Sequence, residues 1–430
     1  MVDLKLIRDQ PDLFKAALRK KRADPGLVDR ALEADRRRRE VVQQVEALRA
    51  AQNRASQEIP KLTGAAREAR IAEMKQIAAQ AKALDPALQD ADAALLAVLR
   101  QIPNPPHPAV PDGGPDEGAT LRVVGAPPQF EFAPRDHVEL GAALDLLDVE
   151  RGAKVSGSRF YFLRGDGALL QLALVRYAVD RLAAEGFTPI IPPVLVRRDN
   201  IIGMMGGAGL DEQMVYRVEG EDLALAGTSE MALGSMLAGE VLNESDLPVR
   251  LCGISTCFRR EAGAHGKDTR GIFRVHQFEK VEMFSYCHPD RSWEEHGYLA
   301  GLQERLWQPL GFPYRVVDIA AGDLGDPAAR KYDIETWMPG RGGYGETQSC
   351  SNCTDFQARR LNVRFRRKDG GAVEYVHTLN GTAVAGTRAI IAIVENFQQR
   401  DGSVRVPEPL IPYMGGKTEL RARRLAPDRK

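Results

Sequence analysis

Between Cys257 and Phe284, cations, carboxylates and aromatic rings recur at spacings that suit two strands joined by a long basic loop. Side chains alternate between the faces of a strand, so Arg259 and Glu261 share one face, and Phe278, Lys280 and Glu282 share another. Gly263, Gly266 and Gly271 give the loop its backbone freedom, and His265, Lys267 and Arg270 make it cationic. If the two faces coincide, one floor carries a guanidinium, a ring and carboxylates. Phe278 and Glu282 would then stand ~13 Å apart at ~3.3 Å per residue. That leaves room for a flat ring stacked at one end and a small polar molecule at the other. An exposed hairpin with a solvated charged tip is the plainer reading of such a pattern, but the particular residue order argues against it.

Other residues could share that floor. Thr228 and Glu230, two apart at the end of the stretch from Leu223, would share a strand face, with Ser229 pointing the other way. Most Thr-x-Glu pairs are only surface strand. Glu346 and Ser349 fall just before a predicted helix, and a carboxylate and a hydroxyl are hard oxygen donors suited to Mg²⁺ bridging phosphates. Arg388 stands near the start of a helix whose Ile390, Val394 and Phe397 have core spacing; its guanidinium can cover a second face of a ring and reach a terminal phosphate. Cys350 and Cys353, with Cys252 and Cys257, could be assembled into a four-thiolate zinc site. One Cys-x2-Cys and one Cys-x4-Cys are a sparse signal, and packed free thiols are preferred. The chain has no Gly-x4-Gly-Lys-Ser/Thr loop and no dinucleotide fingerprint, so a nucleotide would have to be held another way.

The elements that must position these residues follow from the apolar pattern. Residues 1–22 read as a short helical lead-in. From Leu27 an apolar seam runs in steps of four and three to Leu62, with Arg38 and Gln52 at its missing positions, and a second runs from Met74 to Val98. Two such seams predict an antiparallel helical hairpin, kinked at Pro86 unless that proline opens a new helix. Residues 1–100 carry 20 Lys/Arg against 15 Asp/Glu, with Arg36 to Arg39 in one block. This is either a solvated coiled-coil face or an arm that tracks RNA phosphates. Ile102 to Pro115 is a proline-rich linker, and the domain boundary is placed near His107. Beyond it, Leu169 to Ala184 predicts a helix followed by a proline-marked strand from Gly186, a pattern suited to a sheet edge and a subunit contact. The arginine-rich tail after Gly416 is expected to be disordered. A length of 430 residues allows a large domain and a smaller one, and 43% hydrophobic with 27% charged residues suits a globular protein. Zero formal net charge means that nucleic-acid contact must come from local patches. The N-terminus lacks an apolar signal core and no run approaches ~18 apolar residues, so a soluble, cytoplasmic protein with no membrane partner is expected. Five cysteines, all in the C-terminal half, do not suggest a disulfide framework.

Phe258-Arg-Arg-Glu, a loop, then His276-Gln-Phe-Glu-Lys-Val-Glu resembles motif 2 of class II aminoacyl-tRNA synthetases, and the surrounding variant resembles the seryl-tRNA synthetase family. Leu379-Asn-Gly-Thr-Ala to Gln398 resembles motif 3, with Thr382 and Ala383 in place of the common Ser-Gly. The helix and strand around Pro193 resemble motif 1, and Gly345 to Arg360 resembles the family's ATP-side segment, which usually has these cysteines without a metal. The resemblance spans essentially the whole chain. It implies an α+β fold: an antiparallel sheet flanked by helices (108–430) behind an N-terminal antiparallel α-helical coiled-coil hairpin (1–107) that reads the long extra arm of tRNA(Ser). It further implies ATP and Mg²⁺ as cofactors, a homodimer through motif 1, and ATP-dependent attachment of L-serine to tRNA(Ser), extending to tRNA(Sec). By the same resemblance, Arg259 and Arg388 are catalytic. Thr228, Ser229, Glu230, Glu282 and Thr382 bind serine. Arg259, Arg260, Glu261, Val275, Phe278, Glu346, Thr347, Gln348, Ser349 and Arg388 bind ATP, with Glu346 and Ser349 holding Mg²⁺ through it. Phe278 and Arg388 would sandwich adenine. Two other readings remain: an adenylate-forming relative that loads a carrier protein, which would lack the hairpin, and a non-catalytic paralogue, which loss of Arg259, Glu346 or Arg388 would have favoured.

Overall fold

The lead-in folds as two short helices, α1 (Leu4–Asp9), capped by Asp3 accepting from the Lys5 amide, and α2 (Pro11–Lys20), opened by a proline at its first position. These residues come from a computed structural model that describes residues 1–206, 214–261, 270–368 and 370–422. Gly263, His265, Gly266 and Lys267, and the end of the arginine-rich tail, lie outside the described residues. The first apolar seam becomes α3 (Gly26–Glu58), and the second becomes α4 (Gly64–Ala83) and α5 (Asp85–Leu99), both packed against α3. Pro86 sits in the first turn of α5, where its missing N–H has no intrahelical partner to lose, so the helix restarts there. Arg38 fills its gap in the seam by pairing with Asp92 of α5 across the hairpin. The rest of the arginine block is also paired: Arg36 with Glu33 and Glu40, Arg37 with Glu33, and Arg39 with the buried Asp35. This helical unit ends at Pro103.

The second unit begins at Asn104, and the proline-rich segment is anchored to it. The Asn104 side chain donates to the Pro327 and Cys353 carbonyls at 2.8 Å, the His107 amide bonds the Ala329 carbonyl, and Val110 is buried with Val317 and Ile319. The unit is built on an eight-stranded sheet. Its strands are β1 (Ala119–Val124), β2 (Thr188–Ile190), β3 (Val249–Phe258), β4 (Gln277–Cys287), β5 (Tyr314–Asp318), β6 (Arg330–Met338), β7 (Gly343–Asn352) and β8 (His377–Ala385), in spatial order 1-5-6-7-8-4-3-2. All neighbours are antiparallel except β2 on β3, which is parallel. β2 is the edge strand, where Pro189 can be tolerated, and it is shorter than the predicted one because Pro192 and Pro193 follow it.

One face of the sheet is buried under α6 (Asp166–Ala184), α9 (Ser292–Trp307) and α11 (Gly386–Asn396), through Leu170, Tyr177, Leu302, Trp307, Ile390 and their neighbours. The other is covered at one end by α7 (Arg198–Met205), α8 (Glu230–Ser235) and α10 (Phe356–Leu361), which pack Met204, Leu233, Ala358 and Leu361 around Phe284. The rest of that face is the floor predicted between Phe278 and Glu282.

Three local expectations are corrected. Thr228 and Glu230 are not on a strand: the strand stops at Leu225, and Ser229 is the N-cap of α8. Glu346 and Ser349 lie within β7, not ahead of a helix. The first residues beyond Gly416 are ordered, since Glu419–Leu420 pairs with Val404–Arg405.

Candidate active site

Across β3 and β4, Gly253, Ser255 and Cys257 stand opposite Glu282, Lys280 and Phe278, so the last three share one face as alternation requires. β8 adds Thr382, directly opposite Glu282. Arg259 and Glu261 lie beyond the end of β3. Arg259 is still held there: its amide donates to the His276 carbonyl (3.0 Å), and its own carbonyl accepts from His276 Nδ1 (2.9 Å). Its guanidinium donates to the Gly227 carbonyl (3.1 Å) and stands 5.3 Å from the centre of the Phe278 ring. Glu261 adopts a left-handed backbone (φ +46°), and its carboxylate meets Arg274 at 3.2 Å.

Residues three apart on a regular strand face opposite ways, yet Glu346 and Ser349 do not. Between β6 and β7 the register slips: Asp333 faces Ser349 and Ile334 faces Gln348, but Glu335 faces Glu346, leaving Thr347 as the extra residue. The bulge brings Glu346 and Ser349 to the same face as Asp333. It turns the side chains of Thr347 and Gln348 to the other. Thr347 Oγ1 bonds Thr336 Oγ1 (2.8 Å), which accepts from the Trp307 indole, and Gln348 donates to the Ala383 carbonyl (2.7 Å).

Arg259, Glu261, Val275, Phe278, Glu346, Thr347 and Arg388 line one pocket together with Thr382; Arg260, Gln348 and Ser349 do not line it. Phe273, which the sequence did not single out, lines it too. Arg388 rests on Phe273 at 4.6 Å from its ring centre and reaches the Glu346 carboxylate at 3.2 Å. Arg259 covers Phe278, and Arg388 covers Phe273. Partial desolvation opposes ionisation of Glu346, nearly half of whose side chain is exposed, but Arg388, Lys331 and Arg259 outweigh it and hold its carboxyl well below the ordinary carboxylate range. Burial pushes Asp333 up, and its Oδ1 is buried without a hydrogen-bond partner. Glu346, Ser349 and Asp333 therefore supply hard oxygen donors on one face, a set that fits Mg²⁺. Among the described residues no group of three or more His, Cys, Asp or Glu could hold a metal alone, so such a cation would complete its shell on phosphate.

At the other end of the floor, Lys280 donates to Thr228 Oγ1 (3.2 Å) and pairs with Glu282. Glu230 and Glu282 are buried, and Ser229 packs beneath them against Gly253. Burial and the charge of Glu282 raise the Glu230 carboxyl to about 7; burial also raises Glu282, against the pull of Lys280. Glu230 and Glu282 thus form a buried carboxylate pair beside Lys280, just outside the lining of the pocket that Lys280 and Thr382 share. All five cysteines are buried free thiols.

An antiparallel sheet carrying this floor defines the core of a class II aminoacyl-tRNA synthetase. Residues 214–397 match the family model described as tRNA synthetase class II core domain (G, H, P, S and T), and residues 1–106 match the seryl-tRNA synthetase N-terminal domain. The chain is 50% identical over 415 residues to a serine–tRNA ligase of Nocardia farcinica, covering 96% of this chain and 98% of that one. Among solved structures it is similar to seryl-tRNA synthetase from Pyrococcus horikoshii complexed with ATP, with 42% identity, a TM-score of 0.92, and coverage of 98% of this chain and 100% of that one. It is also similar to the cytoplasmic serine–tRNA ligase from Naegleria fowleri in complex with AMP, with 36% identity, a TM-score of 0.87, and coverage of 98% and 99%. The chain belongs to the seryl-tRNA synthetase family. Among the described residues, no helix is long and apolar enough to cross a membrane.

Proposed function

We propose that the protein attaches L-serine to tRNA(Ser) in two stages, the first of which consumes ATP, and to tRNA(Sec) as a second acceptor. The serine carboxylate attacks the α-phosphorus of ATP and pyrophosphate leaves; the terminal ribose hydroxyl of the tRNA then attacks the acyl carbon of the adenylate, and AMP leaves. The observation that carries this reading is the shared floor, with aromatic platforms and arginines at one end and a buried carboxylate pair beside Lys280 and Thr382 at the other.

Adenine stacks on Phe278 with Arg388 moving to its second face, Glu261 accepts from its amino group, and Val275 borders it. Arg259 contacts the α-phosphate. Arg260, Thr347, Gln348 and Ser349 complete the nucleotide site, Thr347 through its backbone. Mg²⁺, held by Glu346 and Ser349 with the nucleotide's phosphates, would supply charge neutralisation at those phosphates. Glu230 takes the α-ammonium of serine, supported by Thr228 and Ser229, and Glu282 with Thr382 takes its hydroxyl. No side chain has to act as nucleophile; positioning and charge neutralisation supply the rate. The helical unit grips tRNA phosphates. A second copy docks at α6 and β2, where Leu172 and Ile191 are 65% and 84% exposed. The cytoplasm is the expected location. Serine-dependent pyrophosphate exchange, followed by charging of total tRNA, tests the reading; exchange with another amino acid in preference to serine would overturn it.

A further inference from the structure

One oxygen of Glu230 is fully committed to the protein. Its Oε1 accepts from Gln357 Nε2 at 2.7 Å and from Asn380 Nδ2 at 3.0 Å. The orientation of the Gln357 amide follows from its other partners. The Met204 carbonyl, 3.0 Å from Nε2, can only accept, so the group facing it is the NH₂. The Gln357 carbonyl takes the Thr378 hydroxyl at 2.6 Å. Gln357 has no exposed surface, and Thr378 has 1%. The two donors occupy both lone pairs of Oε1, so Oε2 is the oxygen left for a ligand or for a proton.

We propose, resting on the reading of Glu230 as the acceptor of the substrate's ammonium, that Gln357 is a positioning residue which sets serine affinity and its pH dependence, keeping Glu230 ionised with Oε2 left for the ligand. The groups facing Glu230 make this control consequential. Glu282 from β4 opposes its ionisation, while Lys280 from β4 and Arg259 from the end of β3 favour it. Burial outweighs them, so the balance lies close to neutral pH, and one neutral donor more or less decides the charge. A proton on Glu230 must sit on Oε2, where it removes the acceptor the ammonium needs. Serine KM is therefore high at acid pH and falls as pH rises through the Glu230 pKa.

The test is Gln357→Met, which keeps length and loses the amide, assayed by pyrophosphate exchange between about pH 6 and 9. Serine KM at neutral pH should rise roughly 10-fold or more, and the midpoint of its pH profile should move up by about one unit. ATP KM should stay within about two-fold. Where that variant does not fold, Gln357→Glu retains the shape and, by placing a second carboxyl against Glu230, should move the midpoint the same way. An unchanged midpoint in the folded variant overturns the proposal, whatever happens to KM. Glu230→Gln is the control: wild-type serine KM there would reject the assignment of Glu230 itself, whereas a weakened Glu230→Gln beside an unmoved Gln357 variant would reject only the positioning role.

Discussion

Glu282 and Thr382 stand opposite each other on adjacent strands, so a substrate hydroxyl placed between them meets a carboxylate and a hydroxyl at once. Hydrogen bonds to charged groups contribute roughly 1.5–3 kcal/mol, and alanine forfeits the one that the serine hydroxyl makes to this carboxylate, which Lys280 otherwise pairs with. Glu282→Ala should thus lower the preference for serine over alanine by about 10- to 100-fold in exchange assays, with ATP KM nearly unchanged; a variant that still strongly prefers serine would move the discrimination to Thr382. Arg388→Ala removes the cation beside Glu346 and Phe273, and its exchange rate should drop by about 10²–10³-fold. Near-normal exchange would reject its catalytic role. Alternation alone located Phe278, Lys280 and Glu282, because they lie on one regular strand. Phe273, Asp333 and Gln357 escaped it, since each meets the site across elements that only the folded sheet brings together.

Secondary-structure elements explain where the pattern misled. The stretch Glu346 to Ser349 has no clean period of two because the bulge at Thr347 breaks it, and a strand read without that bulge would separate its two oxygen donors. Thr228 to Glu230 reads as a strand end because the start of α8 carries no capping serine: Ser229 stands at its N-cap position without a side-chain cap bond, its hydroxyl donating to the Gly253 carbonyl instead. The bulge is pinned from beneath, where Thr336 accepts from the Trp307 indole and bonds Thr347. Thr336→Val leaves the indole N–H unpartnered, and urea unfolding should show a loss of about 1–3 kcal/mol. If the pin also fixes the faces of Glu346 and Ser349, the same variant should need more Mg²⁺ for half-maximal exchange. An unaltered Mg²⁺ requirement would mean that the bulge stands without this support.

At the scale of the whole molecule, the two seams and the proline-rich stretch made both units legible, but not what the arginines do or where a cut should fall. Arg36 to Arg39 are engaged with carboxylates of their own unit, through pairs that are mostly exposed. Such pairs are worth ~0–1 kcal/mol each, so tRNA phosphates can displace the carboxylates at little cost. Contacts of that kind act on tRNA, not on adenylate formation, and weaken with added salt. A chain beginning at Asn104 should keep serine-dependent pyrophosphate exchange and lose most tRNA charging, by roughly 10-fold or more at moderate salt. The start matters because Asn104 bonds the Cys353 carbonyl, just ahead of the helix that carries Gln357, and Val110 is part of a buried cluster of the catalytic unit. A cut at Asp112 would remove those anchors and mix a damaged pocket with a missing arm. The salt dependence of charging should flatten in the shortened chain while exchange keeps its own. Full-length charging rates from that chain would show that the hairpin is structural and that the acceptor end alone selects the tRNA.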